Sequence, residues 1–189
     1  MRLQTFSRSF FVMLISLVLM SACSPSVPQP QPTGAGTTAT PRFYWFDIEF
    51  TDARTGNTFT MNDFSGKVVL VETMAMWCPN CIFQAGEVRK MHELLGSPED
   101  LISVSLDIDV HEDEASLKKY AEEYGFEWRF AIAPMQAARS IGNLYGAQYL
   151  NPPIRPMLII DRNGNVHTLP HGAKDAETLQ KAVSPYLAQ

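Results

Sequence analysis

The chain has 189 residues, of which 46% are hydrophobic and 19% charged, and its formal net charge is −5. This length is sufficient for one domain with a substantial hydrophobic core. The acidic balance, without an Arg/Lys-rich face or a phosphate-binding glycine loop, argues against a nucleic-acid partner.

The N-terminus has the features of a signal peptide. Residues 10–20 are almost entirely apolar, and two arginines flank the polar segment before them. This stretch is too short for a membrane-spanning helix, which needs about 20 residues, but it fits a secretory signal core. Small residues then lead directly into Cys23. We therefore predict a signal peptide over residues 1–22.

The junction Leu19-Met20-Ser21-Ala22-Cys23 resembles a bacterial lipobox. That resemblance implies cleavage before Cys23 and lipidation of this cysteine. Ordinary secretion that leaves a free Cys23 is the alternative. The cysteine count favours the lipid, because the other two of the three cysteines form a closely spaced pair, and a free thiol on an exported protein is a liability. Loss of the two signal-peptide arginines would move the net charge to −7.

Residues 23–42 form a predicted linker. Its sequence from Ser24 to Pro41 carries no charge and consists mainly of Pro, Gln, Ser, Thr, Gly and Ala. This composition cannot bury a core, and a coil of this length reaches roughly 25 Å. We expect it to tether a folded domain, residues 43–189, to a bacterial membrane outside the cytoplasm, in the periplasm or on the outer face of the cell membrane.

The folded part shows strands that alternate with helices after an N-terminal hairpin. Residues 68–71 are the β-branched and apolar run of a buried strand, and apolar residues recur at helical spacing in residues 82–95. The predicted elements are a hairpin from 43–50 and 58–61, strands at 68–73, 101–106, 128–132, 157–160 and 166–169, and helices at 82–95, 112–124, 135–144 and 175–187. This order predicts an α/β sandwich.

The tetrapeptide Cys78-Pro79-Asn80-Cys81, preceded by Trp77, lies between the predicted strand and helix. Two thiols at this spacing can close into a disulfide and reopen. A helix N-terminus favours a thiolate at Cys78, and Pro79 suits the first helical position. We predict that Cys78 is an exposed, acidified nucleophile and that the more shielded Cys81 resolves the mixed disulfide.

Metal binding and a structural disulfide are the alternatives for the cysteine pair. A zinc site normally needs a second ligand pair, and no other closely spaced Cys/His pair is evident. Met74 and Met76 are ligand types that suit copper(I), although packing is their commoner role. The acidic residues of 107–114 lack the spacing and glycine of a calcium loop, and they read as an acidic helix start. We predict no metal ion and no cofactor besides the Cys78–Cys81 disulfide.

Three segments, residues 67–74, 77–81 and 156–164, resemble the thioredoxin fold. More narrowly, the chain is similar to the TlpA/ResA branch, the exported, membrane-anchored thiol–disulfide oxidoreductases of bacteria. The resemblance covers essentially all of the folded part. It implies an α/β thioredoxin-like fold, in which helices flank a central mixed β-sheet that carries an N-terminal β-hairpin extension.

The resemblance also assigns residues around the cysteines. Pro156 occupies the place of the family's cis-proline, which lies against the active-site disulfide, and Pro153 is the rival candidate. Arg155 stands where many relatives carry a small or β-branched residue, a departure that could alter partner choice. The predicted partner-binding residues are Trp77, Pro79, Asn80, Arg155 and Pro156, with core packing as the alternative for Trp77.

Glu72 lies six residues before Cys78, where thioredoxins carry a buried acid. Burial near Cys81 would raise the pKa of this carboxyl group and let it accept the proton of the resolving thiol. The alternative is a strand carboxylate bonded to nearby backbone or to Lys67.

The resemblance implies a protein-disulfide reductase that acts on exported thiol and disulfide proteins, for example in cytochrome c maturation. Because the cell exterior is oxidising, a reductant there needs a membrane electron donor. A Sco-like copper metallochaperone on the same fold is the alternative, but that group spaces its cysteines three residues apart and adds a histidine ligand. A thiol peroxidase is a third hypothesis, but the sequence pattern of that family is not matched upstream of Cys78.

Overall fold

The computed structural model describes residues 44–188. The predicted signal peptide, the lipidation site Cys23 and the linker at 23–42 lie outside the described residues. Within residues 44–188, no helix is both long and apolar enough to cross a membrane.

A five-stranded mixed sheet forms the centre of the fold. A separate two-stranded antiparallel sheet pairs β1 (Phe50–Thr51) with β2 (Thr58–Phe59). The strands of the main sheet are β3 (Val68–Met74), β4 (Leu101–Asp107), β5 (Arg129–Ile132), β6 (Met157–Ile160) and β7 (Val166–Thr168). Their order is β5-β4-β3-β6-β7, with β3, β4 and β5 parallel and β6 antiparallel to both of its neighbours. The predicted mixed sheet and N-terminal hairpin are confirmed.

Helices cover both faces of this sheet. They are α1 (Pro79–Leu95), α2 (Glu114–Tyr124), α3 (Met135–Tyr145) and α4 (Ala176–Leu187). Leu70 of β3 packs in one cluster with Val88 of α1 and Leu179 of α4. Val71, which points the opposite way, packs in another cluster with Ile141 of α3. All seven residues of β3 are buried, as expected for the central strand of a sheet covered on both sides.

The first segment of the predicted hairpin differs from the prediction. Tyr44–Phe46 form a 3-10 helix, and strand pairing begins only at Phe50. The side chains of Trp45 and Phe46 are both buried in the core. An extended strand sends consecutive side chains to opposite faces, so a turn of helix is what lets these two neighbours enter the same core.

The second helix also begins later than predicted. Asp113 caps it by accepting a hydrogen bond from the Ser116 amide at 2.8 Å, so the helix starts at Glu114 and leaves Glu112 in the preceding loop. The prediction of an acidic helix start therefore holds for Asp113 and Glu114. Asp107, in contrast, is the last residue of β4 and is fully buried.

Candidate functional site

Cys78 stands where β3 has ended and α1 begins. It is the N-cap residue of α1, and Pro79 is the first helical residue. The Cys81 amide donates a hydrogen bond to the Cys78 carbonyl at 3.0 Å. Both thiols are free. The predicted strand–cysteine–helix junction is therefore present, with Cys78 capping the helix and Cys81 as its third residue.

The burial of Cys78 differs from the prediction. Its side chain is only 1% exposed, as is that of Cys81, so the prediction of an exposed nucleophile is wrong for this conformation. Cys78 belongs to a buried cluster with Met74, Ala75 and Cys81, whereas the preceding Trp77 is 57% exposed. A partner disulfide can reach the Cys78 sulfur only after some of the surrounding groups move.

The surroundings of Cys81 favour its neutral thiol form. It donates a weak hydrogen bond to the Pro152 carbonyl, with a sulfur–oxygen distance of 3.5 Å. Burial raises its pKa, and hydrogen bonding to Cys78 raises it further. A thiol in this state needs a base before it can attack a mixed disulfide. Its role as the resolving cysteine stays a prediction.

Glu72 is a carboxyl group that acts on Cys81 and could serve as this base. It is buried in β3, its Oε1 atom has no hydrogen-bond partner within the protein, and its charge raises the pKa of Cys81. Burial raises the pKa of Glu72 to about 8, against the opposing pull of Lys174 and Arg155. The alternative pairing with Lys67 is not formed, because that ammonium group donates to the Glu99 carbonyl at 3.2 Å.

Lys174 is a buried cation that acts on this acid, and it was not among the predicted site residues. Its Nζ donates to the carbonyls of Arg155 at 2.9 Å and Gly172 at 2.7 Å. The Gln84 side chain of α1 holds the Lys174 backbone, accepting from its amide at 3.0 Å and donating to its carbonyl at 2.8 Å. Burial lowers the pKa of Lys174 to about 8, although Glu72 opposes that change. No local pattern marks a single lysine before the last helix as part of a site.

The loop before β6 is tied to the start of α1. The Arg155 guanidinium donates to the carbonyl of Asn80 at 3.2 Å and to its Oδ1 at 2.8 Å, and Asn80 Nδ2 donates to the Pro153 carbonyl at 2.9 Å. Arg155 also has a left-handed backbone, with φ of 55°. Asn80 and Arg155, which we predicted as partner contacts, thus contact each other in this structure.

The backbone around Pro156 is also occupied internally. The Arg155 amide donates to the Pro152 carbonyl at 2.8 Å, and its carbonyl accepts from Lys174. Pro156 is buried, and its carbonyl accepts from the Thr73 amide at 3.3 Å. The Arg155 amide, which has a single N–H, must therefore leave the Pro152 carbonyl before it can donate to a partner.

Trp77 and Pro79 are the predicted partner-binding residues whose side chains face solvent. For Trp77 this exposure argues against the core-packing alternative. Met74 is buried, and Met76 packs against the same cluster, so both have a packing role. Among residues 44–188, no three or more His, Cys, Asp or Glu side chains are grouped to hold a metal ion.

The raised pKa of Glu72 predicts a pH-dependent stability. The folded state keeps this proton up to about pH 8, whereas an ordinary carboxyl group loses it near pH 4.5. The contribution of Glu72 to the free energy of unfolding is therefore complete below pH 4.5 and declines as the pH rises towards 8. Between pH 4.5 and pH 8 we expect the wild type to lose on the order of 4 kcal/mol relative to Glu72→Gln.

Urea unfolding of both proteins at these two pH values measures this difference. Glu123→Gln, which removes an exposed carboxyl group, should follow the wild type. Parallel pH profiles for the wild type and Glu72→Gln would show that Glu72 has an ordinary pKa.

The fold is thioredoxin-like. A closely spaced cysteine pair lies at the start of a helix, and this helix follows the central strand of a five-stranded mixed sheet. The Redoxin family model matches residues 35–184, so the chain belongs to the Redoxin family. A search of curated protein sequences finds no match.

Solved structures resemble the fold at low sequence identity. A thioredoxin-family thiol:disulfide interchange protein from Chlorobium tepidum TLS matches with a TM-score of 0.64 and 20% identity, over 74% of this chain and 92% of that one. A thiol-disulfide isomerase from Corynebacterium glutamicum gives 0.57 and 20%, over 75% and 92%. A secreted disulfide oxidoreductase of Mycobacterium tuberculosis, homologous to E. coli DsbE, gives 0.55 and 14%, over 74% and 96%.

Proposed function

We propose that this protein is a thiol–disulfide oxidoreductase that exchanges disulfides with other proteins through Cys78 and Cys81. The observation that carries the proposal is the pair of free thiols on the first turn of α1, at the C-terminal end of the central strand. Membership of the Redoxin family supports the same chemistry, and so does the likeness to a thiol:disulfide interchange protein and a thiol-disulfide isomerase.

The exchange proceeds in two balanced steps. The Cys78 thiolate attacks one sulfur of a partner disulfide, which forms a mixed disulfide and releases the other partner sulfur as a thiolate. Cys81 then loses its proton and attacks the Cys78 sulfur. This step closes the Cys78–Cys81 disulfide and releases the second partner sulfur, so two electrons pass to the partner.

The groups around Cys81 support a role for Glu72 in the second step. Burial and hydrogen bonding to Cys78 raise the pKa of the Cys81 thiol and so disfavour its ionisation. In its ionised form, Glu72 would accept that proton, and its pKa of about 8 makes it a much stronger base than an ordinary carboxylate. The positive charge of Lys174 lowers the pKa of Glu72 and so favours its ionised form. Lys174 would therefore assist the proton transfer from Cys81 to Glu72.

The cellular setting of this activity is also part of the proposal. The lipobox-like sequence before Cys23 supports export and lipid anchoring, and the uncharged linker at 23–42 would give the domain reach above the membrane. In that setting the protein acts as a TlpA/ResA-type reductant of exported proteins and receives electrons from a membrane donor. Fractionation of cells tests the anchor, because Cys23→Ala should move the protein from the membrane to the soluble fraction.

Covalent trapping of partners tests the exchange mechanism. Cys81→Ser removes the resolving thiol, so mixed disulfides with Cys78 should accumulate in cells and dissolve on reduction. The variant that lacks both cysteines, Cys78→Ser/Cys81→Ser, should trap nothing and is the matched control. Absence of any reducible adduct on Cys81→Ser would contradict the proposed exchange.

A further inference from the structure

Two carboxylates from the loop after β4 bind the segment directly before the first cysteine. Glu112 accepts hydrogen bonds from two consecutive backbone amides, those of Met76 at 2.9 Å and Trp77 at 3.3 Å. Asp109 Oδ2 accepts from the indole Nε1 of Trp77 at 2.8 Å. Both the backbone and the side chain of Trp77 are therefore fixed by acids, one residue before Cys78.

A third acid, Asp107, lies behind these two. Its side chain is fully buried, its Oδ1 accepts from the Asp109 amide at 2.9 Å, and its Oδ2 has no donor within the protein. The Glu112 side chain acts directly on Asp107, because both hydrogen bonding to Glu112 and its negative charge raise the pKa of the Asp107 carboxyl group. Two carboxylates so close repel each other unless one of them carries a proton.

Within residues 44–188, the ionisable groups that act on the Asp107 carboxyl are the acids Glu112 and Asp109, and His111 lies next to Asp109. The neighbouring strands present the uncharged Met74 of β3 and Ile132 of β5 at this level. Burial, and then Glu112, raise the pKa of Asp107 to about 9.

A bound cation would be the other way to satisfy the free oxygen, but the contacts do not favour it. Five of the six carboxylate oxygens of Asp107, Asp109 and Glu112 already accept an N–H group. Within residues 44–188 these acids also do not form a group that could hold a metal ion. A proton on Asp107 that is donated to Glu112 satisfies the remaining oxygen without further ligands.

We propose that Asp107 and Glu112 share one proton and act as positioning residues that hold Trp77 and, with it, the turn in which the Cys78 amide donates to the Ala75 carbonyl at 3.1 Å. With the proton in place, Glu112 carries the only charge of the pair and binds both backbone amides. Loss of the proton puts two negative charges side by side, so Glu112 moves away and releases the segment that precedes Cys78. The opening of the cysteine site thereby becomes sensitive to pH. The consequence for exchange rests on the proposed function, whereas the proton sharing does not.

We call the proton-sharing pair of Asp107 and Glu112, together with the Trp77 that it holds, the latch. Nuclear magnetic resonance titration tests the latch without a measurement of activity. The Trp77 indole signal, assigned by its loss in Trp77→Phe, should shift in the wild type with a midpoint at least two units above the ordinary aspartate value of about 3.9. Asp107→Asn, which is nearly isosteric and donates to Glu112 at every pH, should abolish that transition. Glu72→Gln removes a different buried acid and should retain it, which makes it the matched control.

A second measurement keeps the test decisive if Asp107→Asn does not fold. In the wild type, the side-chain carboxyl carbon of Asp107 should titrate with the same high midpoint as the Trp77 indole. A midpoint below about pH 6 at Asp107, or a Trp77 transition that persists in folded Asp107→Asn, would overturn the proposal. Either result would leave the exchange chemistry of the cysteines standing.

The latch also predicts a change in reactivity. At a pH below the Trp77 transition, Glu112→Gln should raise the rate at which iodoacetamide alkylates Cys78 by roughly fivefold, because an amide cannot accept from both backbone N–H groups as strongly as a carboxylate. Glu114→Gln, which alters an exposed acid two residues away, should react at the wild-type rate. Equal rates for Glu112→Gln and the wild type would contradict the latch.

Discussion

Cys78→Ser is expected to reduce the rate of disulfide exchange to below about one thousandth of the wild-type value. The reason is chemical, since a serine hydroxyl at this helix start is not an effective nucleophile towards sulfur and cannot form the mixed disulfide. The rate at which the reduced protein converts glutathione disulfide to glutathione, followed in a coupled assay, measures the effect.

The two cysteines should give opposite single-turnover phenotypes. Cys81→Ser keeps the nucleophile, so it should form the mixed disulfide with glutathione and then stop, which mass spectrometry detects as an added glutathionyl group. Cys78→Ser should acquire no such group, because the Cys81 thiol is buried and its pKa is raised. Rapid glutathionylation of Cys78→Ser would reverse the roles that we assign to the two thiols.

Lys174→Met is expected to lower the free energy of unfolding at pH 7 by about 3 kcal/mol. The ammonium group of the buried Lys174 is the donor to the partly buried carbonyls of Arg155 and Gly172, and methionine fills similar space without replacing these bonds. The loss of a donor from partly buried acceptors costs more than the deletion of an exposed charge. Urea unfolding at pH 7 measures the change.

Lys181→Met is the matched control for this substitution. Lys181 lies on the exposed side of α4, so its replacement should change the free energy of unfolding by less than about 0.5 kcal/mol. A Lys174→Met protein as stable as Lys181→Met would show that the buried ammonium group does not hold the loop before Pro156.

The parts of the site that follow from local sequence could be predicted. A β-branched run, a Cys-Pro-Asn-Cys segment and a helical repeat are contiguous, so they determine that Cys78 caps α1 and that Glu72 lies in the preceding strand. The alternation of the strand also places Glu72 on the same face of β3 as Leu70, which packs against α1.

The contacts between distant segments could not be predicted in the same way. Lys174 and Asp107 enter the site through tertiary packing, and each looks in sequence like an ordinary loop lysine or strand-end acid. The burial of Cys78 depends on how the neighbouring side chains close around it. Asn80 and Arg155 were predicted to bind partners. In the folded chain, where β6 pairs with β3, their complementary hydrogen-bonding groups bind each other.

The reduction potential of the Cys78–Cys81 pair is the most direct test of disulfide exchange by this protein. The wild-type protein is equilibrated at pH 7 with thiol–disulfide buffers of graded potential, and the reduced fraction is counted by mass spectrometry after alkylation. We predict a single reversible two-electron transition between two free thiols and one internal disulfide, near −270 mV or below for a reductant. Cysteines that stay free across the whole range would contradict the exchange function, and a transition near −120 mV would contradict the reductant role.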